Sequence, residues 1–302
     1  MNTMIAPSKF DALRAQGKLF CVLTIAVLIA SPLLAAIDER LLLIGIAVAI
    51  FFLGVPHGAL DTVFAKKIYR LDAPVSWLIF SFTYVSLAAA VVMLWSYAPL
   101  IFLAGFLLIS AFHFSGDPVA DLPPGTRLLY GGAVVVLPAM LHAPKVSMLF
   151  AQLVGAAVAG EIVSVLQIAA VPWLVASLLF VALLVRTDRL AACEIFCVIL
   201  LSVVAAPLVG FTVFFCGMHS PRHFLRTASL VAQPPKNLLH RAALLPMLAC
   251  GCAVIVAVSM MAYLPIDDRL VQIIFVGLAA LTVPHMLLIE RVRLRGWRFA
   301  SD

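Results

Sequence analysis

The 302-residue chain is 65% hydrophobic and only 11% charged, which is far more apolar than the roughly half-apolar composition of soluble domains. Membrane spans of about 20 residues each would occupy almost all of it, so no room remains for a sizeable soluble domain. The net charge of +6 comes from 20 Lys and Arg against 14 Asp and Glu. In such a chain this excess is expected to set orientation in the membrane, and it does not indicate a nucleic-acid partner.

We predict an all-α fold, a polytopic transmembrane helix bundle of about nine or ten spans. Residues 1–18 are interpreted as a short basic leader in the cytoplasm, residues 19–290 as a single transmembrane domain, and residues 291–302 as a basic cytoplasmic tail. In chain order the predicted spans are 19–37, 41–55, 75–95, 99–114, 128–141, 146–160, 162–185, 192–218, 242–264 and 270–289.

The weakest of these spans is 146–160, and it decides whether the count is nine or ten. Basic residues near both termini predict that both ends of the chain are cytoplasmic, which requires an even number of spans. With ten spans, all the histidine motifs described below face one side. With nine, His219 would be separated from His57 and His113 by about 30 Å of hydrocarbon. The charge pattern therefore favours ten.

Five of the seven histidines lie at or near the ends of apolar runs. A polar imidazole beside hydrocarbon is costly unless it has a partner, so such residues are functional candidates. His142 and His240 are outside this group and are expected to be surface residues. The motifs are Pro56-His57-Gly58-Ala59-Leu60-Asp61, His113-Phe114-Ser115-Gly116-Asp117, His219-Ser220-Pro221-Arg222-His223 and Pro284-His285-Met286.

His219 and His223 are four residues apart, which on a helix places two imidazoles on one face at a separation suited to binding one metal ion. Pro221 disfavours helical geometry at Ser220, so we expect the helix to restart there, with Ser220 as its cap. A histidine pair of this spacing also occurs often by chance. On its own, this spacing is as compatible with the absence of a metal site as with its presence.

Two further histidines precede an aspartate by four residues, His57 with Asp61 and His113 with Asp117. In each pair the carboxylate is expected to accept the second N–H of the imidazole, which would fix its tautomer. Each pair alone could equally be an interfacial histidine with a solvated aspartate. His285 has wholly apolar neighbours, and three roles stay open for it: a metal ligand, a donor outside the ligand set, or a buried core histidine.

Four histidines without a directly bound carboxylate form a neutral donor set that suits iron, zinc or copper. Four ligands would close a structural zinc site, whereas iron with four imidazoles keeps positions open for dioxygen or water. Phenylalanines are close in sequence to these histidines and favour an apolar substrate, although Phe is common in any membrane helix.

These motifs, in their order and spacing from the second predicted span to the last, resemble the Brp/Blh family of membrane-bound beta-carotene 15,15'-dioxygenases. The resemblance implies an iron(II) enzyme of the cell membrane that splits the central double bond of beta-carotene with dioxygen into two all-trans-retinal molecules. It also suggests that retinal passes to a rhodopsin apoprotein. By the same resemblance His57, His113, His219 and His223 would hold the iron, with Asp61, Asp117 and His285 around them.

Other functions remain open at this stage. A transporter or proton relay could use intramembrane His and Asp without a metal, and an oxygenase of this kind could act on another carotenoid or lipid. The chain also departs from the family pattern at Ser115-Gly116 and at Gly217-Met218. Both positions are beside predicted ligands, so they are expected to affect the shape of the pocket near the metal more than the ligand set.

Overall fold

The computed structural model describes residues 9–231, 235–238 and 242–294, and the regular elements in those ranges are all helical. The all-α prediction is therefore confirmed. Residues 1–8 of the predicted leader, residues 295–302 of the predicted tail and His240 lie outside the described residues. The helices are α1 (Lys9–Ile29), α2 (Ser31–Ala35), α3 (Glu39–Ala49), α4 (Pro56–Ala59), α5 (Asp61–Tyr69), α6 (Pro74–Tyr97), α7 (Pro99–Phe114), α8 (Pro124–Val136), α9 (Pro138–Val154), α10 (Ala156–Leu184), α11 (Arg189–Val204), α12 (Pro207–Phe214), α13 (Ser220–Leu230), α14 (Pro235–Leu238), α15 (Leu244–Met260) and α16 (Ile266–Leu294), with π-helical turns at Ile50–Gly54 and Phe215–His219.

Five helical segments are long and apolar enough to cross a membrane, and the pair of α8 and α9, which meet at a 43° bend, makes up to six. The molecule is therefore a membrane protein. Helix α6 has no buried residue, and its Phe82 is 75% exposed, a surface that suits hydrocarbon and not water. The predicted total of nine or ten spans is not confirmed by these segments. The five candidate membrane-spanning segments are Asp11–Ile29, Glu39–Tyr69, Pro74–Tyr97, Ala156–Leu184 and Ile266–Arg291.

Helix boundaries between the second and third histidine motifs differ from the predicted ones in two places. The predicted spans 128–141 and 146–160 form one bent pair, and α9 ends at Val154, just before Gly155, whose φ of +83° favours glycine. The predicted span 192–218 contains two helices, because Pro207 holds Ala206 in an extended conformation (φ −54°, ψ 136°) after α11. His113 and His219 still meet, with ring centroids 4.6 Å apart.

Contacts between distant helices define two ends of the bundle. At one end, which we call the far end, Arg40 at the start of α3 pairs with Asp267 at the start of α16 at 3.2 Å. At the other end, which we call the histidine end, Gln16 of α1 donates to the Gly217 carbonyl beside His219 at 2.9 Å. Helices α3 and α16 therefore run toward the histidine end, whereas α1 starts there.

The apolar core lies around α11, which packs against α1, α8, α9 and α10. Helix α11 buries residues on nearly all of its faces, including Ile195, Val198 and Leu201. A helix that is apolar all round is an interior helix. Glu194 of α11 pairs with Arg222 of α13, the helix that carries His223.

Candidate metal centre

All five histidines of the predicted motifs lie together at the histidine end. Among the pairs in contact, ring centroids are from 4.6 Å apart (His113 to His219) to 6.5 Å apart (His57 to His113). His113 is half-buried, and the other four are at most 8% exposed. The structure therefore brings the four predicted ligands together and adds His285 to them. This cluster, which we call the histidine cluster, consists of His57, His113, His219, His223 and His285.

Two π-helical turns place His57 and His219 beside each other. Ile50–Gly54 comes just before the short helix that carries His57, and Phe215–His219 ends on His219 itself. Such turns recur at functional sites as local interruptions of the α-helix. The two turns pack closely at Gly54, where a Cβ atom would lie 2.3 Å from Cε1 of Phe215. The Phe215 ring stacks on that of His219, with centroids 5.6 Å apart and an interplanar angle of 13°.

Backbone carbonyls next to Pro56 hold two side chains of the site. A proline within a helix cannot complete the backbone hydrogen bonding, so nearby carbonyls accept from other donors. The carbonyl of Gly54 accepts from Nδ1 of His57 at 2.6 Å, and that of Leu53 accepts from the Ser220 hydroxyl at 2.6 Å. The imidazole of His57 is thus oriented by its own helix.

Ser220 is the first residue of α13 and not its cap, so its predicted role as a helix cap is wrong. Its backbone is helical (φ −61°, ψ −50°), and its side chain reaches across to the carbonyl of Leu53. The π-helical turn absorbs the disturbance of Pro221, because the chain continues from α12 through that turn into α13 without a break. His219 and His223 consequently keep the relative placement of a helical pair, and both contact His57.

Both predicted aspartates accept a hydrogen bond from a histidine, but not from the histidine four residues earlier. Asp61 Oδ1 accepts from Nδ1 of His285 at 2.7 Å, and the two oxygens of Asp117 are each 3.0 Å from Nδ1 of His219. The predicted pairs of Asp61 with His57 and of Asp117 with His113 are therefore wrong.

The predicted pairing failed because neither segment continues as one regular helix. Helix α7 ends at Phe114, and the turn that follows carries Asp117 away from the helical position. Helices α4 and α5 meet at Leu60 (φ −73°, ψ −5°), which redirects Asp61. The spacing of four residues keeps two side chains on one face only within a regular helix.

The ring nitrogens of the histidine cluster fall into two groups. Nδ1 of His57, His219 and His285 is hydrogen-bonded to a carbonyl or carboxylate, as in metal-binding histidines. Nε2 of His219, His223 and His285 is buried and has no hydrogen-bond partner among the described residues. A buried nitrogen without a partner is costly, and a bound cation would satisfy it. Neutral imidazoles suit iron, zinc or copper, so the donor set fits a metal ion of this class.

Arg222 is a further residue beside the site, and the sequence motifs gave it no role. It is fully buried and forms a bidentate ion pair with Glu194, both distances being 3.0 Å, and it also donates to Gln16 at 2.9 Å. A pattern in the sequence could have indicated it: Glu194 is a lone carboxylate within the predicted span 192–218, and such a residue needs a partner.

The loop that carries Asp117 is held by arginines of α13. Arg226 donates to the carbonyls of Gly116 and Asp117 at 2.8 and 2.7 Å, and Arg222 donates to the Asp117 carbonyl at 3.3 Å. The same helix carries His223. The contacts therefore fix the carboxylate that orients His219.

A small cavity of about 40 Å³ adjoins the histidine cluster, and a larger groove of about 960 Å³ lies beside it. The small cavity, which we call the metal cavity, is lined by His57, His113 and His285 together with apolar side chains such as Phe106 and Phe215. The larger one, which we call the α6–α15 groove, is lined by α4, α5, α6 and α15. The two share Val55, Gly58 and Leu281 as lining residues.

His142, which was predicted to be a surface residue, lies away from the histidine cluster. His142 lies at a kink within α9, and its Nε2 is hydrogen-bonded to the Val204 carbonyl at 3.2 Å. It therefore does not join the histidine cluster.

Comparison with known proteins gives a consistent result. Residues 48–292 match the family model described as beta-carotene 15,15'-dioxygenase. A relative from an uncultured marine bacterium, 66A03, named beta-carotene 15,15'-dioxygenase, is 31% identical over 257 residues, which cover 80% of this chain and 90% of the relative. No solved structure matches the chain. All five histidines of the cluster lie inside the matched region.

Proposed function

The chain belongs to the beta-carotene 15,15'-dioxygenase family and so is a carotenoid-cleaving dioxygenase. We propose that it splits the central 15,15' double bond of beta-carotene with dioxygen and releases two molecules of all-trans-retinal. The observation that carries this proposal is the histidine cluster beside an apolar groove. Residues 19–290 would form the catalytic domain. A rhodopsin apoprotein is the proposed recipient of the retinal.

The proposed metal is iron(II), held by His57, His113, His219 and His223. Iron supplies the capacity to bind and activate dioxygen. The chain's own contribution is orientation: the Gly54 carbonyl fixes the ring of His57, and Asp117 fixes that of His219. Preset ligands need little rearrangement on metal binding, and the negative charge of Asp117 strengthens the donor nitrogen of His219.

The α6–α15 groove is proposed to bind one part of the carotenoid. Its volume of about 960 Å³ is at the upper end of the roughly 300–1,000 Å³ found for ligand pockets. Trp77, Phe80 and Val85 of α6 face Leu245 and Ala249 of α15 across it. A hydrocarbon dissolved in the bilayer could enter between these two helices without passing through water.

The aromatic rings around the histidines are proposed to exclude water and to place the polyene. Phe114 and Phe215 each contact His219, with centroid distances of 5.0 and 5.6 Å, and both line the metal cavity. These walls are mostly apolar, with Ser110 and Thr282 as the hydroxyl-bearing residues among them. The reacting double bond and dioxygen would therefore be held side by side, which is the main requirement for a reaction between two bound molecules.

The chain is proposed to cross the cell membrane ten times, with both termini and the histidine end in the cytoplasm. In support, the shorter apolar helix α7 begins at Pro99, just after α6, and reaches the histidine end at His113. Helix α11 starts at the histidine end, where Asp188 pairs with Arg14 of α1 at 3.7 Å. The cytoplasmic assignment rests on Lys66, Lys67 and Arg70 just beyond His57.

Expression in cells that make beta-carotene tests the proposed function. We expect loss of carotene colour, appearance of retinal, and purified protein with about one iron per chain. Single replacements of His57, His113, His219 and His223 by Ala should abolish retinal formation while the protein still inserts in the membrane. Unchanged carotene in a protein with bound iron would indicate another lipid substrate, and unchanged carotene without iron would favour a transporter or proton relay.

A further inference from the structure

We infer that His285 is a fifth nitrogen ligand of the metal and that Tyr84 and Asp61 are the positioning residues that aim it. The inference rests on the proposed function, since it concerns the same metal. It depends on a chain of three side chains, the half-buried Tyr84 and the buried Asp61 and His285: the Tyr84 hydroxyl donates to Asp61 Oδ2 at 2.9 Å, and Asp61 Oδ1 accepts from Nδ1 of His285 at 2.7 Å. We call these three residues the Tyr84 chain.

The position of His285 is that of a ligand. Its ring centroid is 5.3 Å from that of His57, 5.1 Å from His113 and 5.2 Å from His223. One nitrogen each from His57, His113 and His285 forms a group in which all three atoms lie within 4.8 Å of one another. One metal ion between these three nitrogens would be within reach of each.

The hydrogen bonding of His285 distinguishes a ligand from an ordinary core histidine. Its Nδ1 is used by Asp61, whereas its Nε2 is buried and lacks a hydrogen-bond partner in the described part of the chain. A histidine kept only for packing would be expected to satisfy both nitrogens or to leave one in solvent. His142 shows that case, since its Nε2 finds the carbonyl of Val204.

Asp61 and Tyr84 have the geometry of groups that act on a ligand from outside. Asp61 is 3% exposed, and each of its oxygens has a separate donor. A carboxylate that accepts the N–H of a metal-bound histidine fixes the tautomer and makes the other nitrogen a stronger donor. Tyr84 fixes the carboxylate in turn. It also lines the α6–α15 groove, so the chain connects the wall of that groove with the metal cavity.

The test measures metal binding and ligand number in the purified full-length protein, apart from activity. In His285→Ala, X-ray absorption at the iron edge should show one nitrogen neighbour fewer than in the parent, and added imidazole should restore it. Asp61→Asn should weaken iron binding about 10- to 100-fold, the effect typical for a partner of a metal-bound histidine. Tyr84→Phe should weaken it less, since the hydrogen bond of Asp61 to His285 remains.

Tyr97→Phe is the matched control, because it removes the same hydroxyl from an exposed position on the same helix, α6. It should leave iron affinity unchanged. The inference is overturned if His285→Ala, or the more conservative His285→Gln, binds iron with the parent's affinity and nitrogen count. It is also overturned if imidazole does not restore the lost neighbour. These outcomes differ from failure of the proposed function, in which the parent protein itself would bind no iron.

Discussion

Replacing Gly54 with alanine tests whether the contact between the two π-helical turns sets the geometry of the histidine cluster. A Cβ atom at residue 54 would lie 2.3 Å from Cε1 and 2.7 Å from Cδ1 of Phe215, whereas carbon atoms in contact prefer about 3.5–4.0 Å. Phe215 or the backbone must therefore shift by about 1 Å or more. Overpacking of this kind costs about 1–3 kcal/mol in stability.

The shift would reach two predicted ligands at once. The Phe215 ring contacts His57 at a centroid distance of 5.3 Å and stacks on His219 at 5.6 Å. A misplacement of about 1 Å can lower a reaction rate on the order of 100-fold. We therefore expect Gly54→Ala to lower retinal formation on the order of 100-fold and to weaken iron binding, as measured by retinal produced per inserted protein and by iron titration.

Gly45→Ala is the matched control, since Gly45 lies in α3 and a Cβ there would meet no atom within 4 Å. It should leave activity intact. Combining Gly54→Ala with Phe215→Ala, which removes both clashing atoms, should restore part of the iron binding. The reasoning is refuted if Gly54→Ala alone retains the parent's iron affinity and rate, because the close contact would then not determine the position of the histidines.

Three further predictions follow from the surroundings of the cluster. Asp117→Asn should weaken iron binding about 10- to 100-fold by removing the charged partner of His219, whereas Asn at the exposed Asp121 should have no effect on the same titration. Arg222→Met should lower the free energy of unfolding by about 3–5 kcal/mol, because it leaves Glu194 buried without its partner. Arg40→Met, which breaks the exposed pair with Asp267, should cost about 0–1 kcal/mol in the same denaturation experiment. His142→Ala should leave iron content and retinal formation unchanged, since His142 lies outside the cluster.

The sequence was sufficient to predict which histidines come together, because each motif combines a polar residue with an apolar run that must enter the membrane. His57, His113, His219 and His223 were expected on one side, and the structure places them in one cluster. The reason is general, because an imidazole in an apolar run needs a partner. In this chain the recurring polar residues in such runs are other histidines, which can share one metal ion.

The partners of the aspartates could not be predicted from spacing. Asp61 and Asp117 each follow a helix interruption. Their carboxylates accept hydrogen bonds from histidines more than 100 residues away in the chain. Local periodicity holds no information on such contacts. Tyr84 and Arg222 were missed for a related reason, since a tyrosine in an apolar helix and an arginine near a helix end both have common explanations that need no buried partner.

The small size of the metal cavity constrains how a symmetrical substrate would bind. Cleavage at the central double bond requires that half of the polyene extend on each side of the metal, and the cavity of about 40 Å³ has no room for either half. In the proposed binding mode the α6–α15 groove would hold one half, since it shares Gly58 and Leu281 with the cavity as lining residues. The other half would extend past Phe106, Phe211 and Leu278, which line the cavity but not the groove. Binding of the whole polyene would therefore require these apolar side chains to move apart.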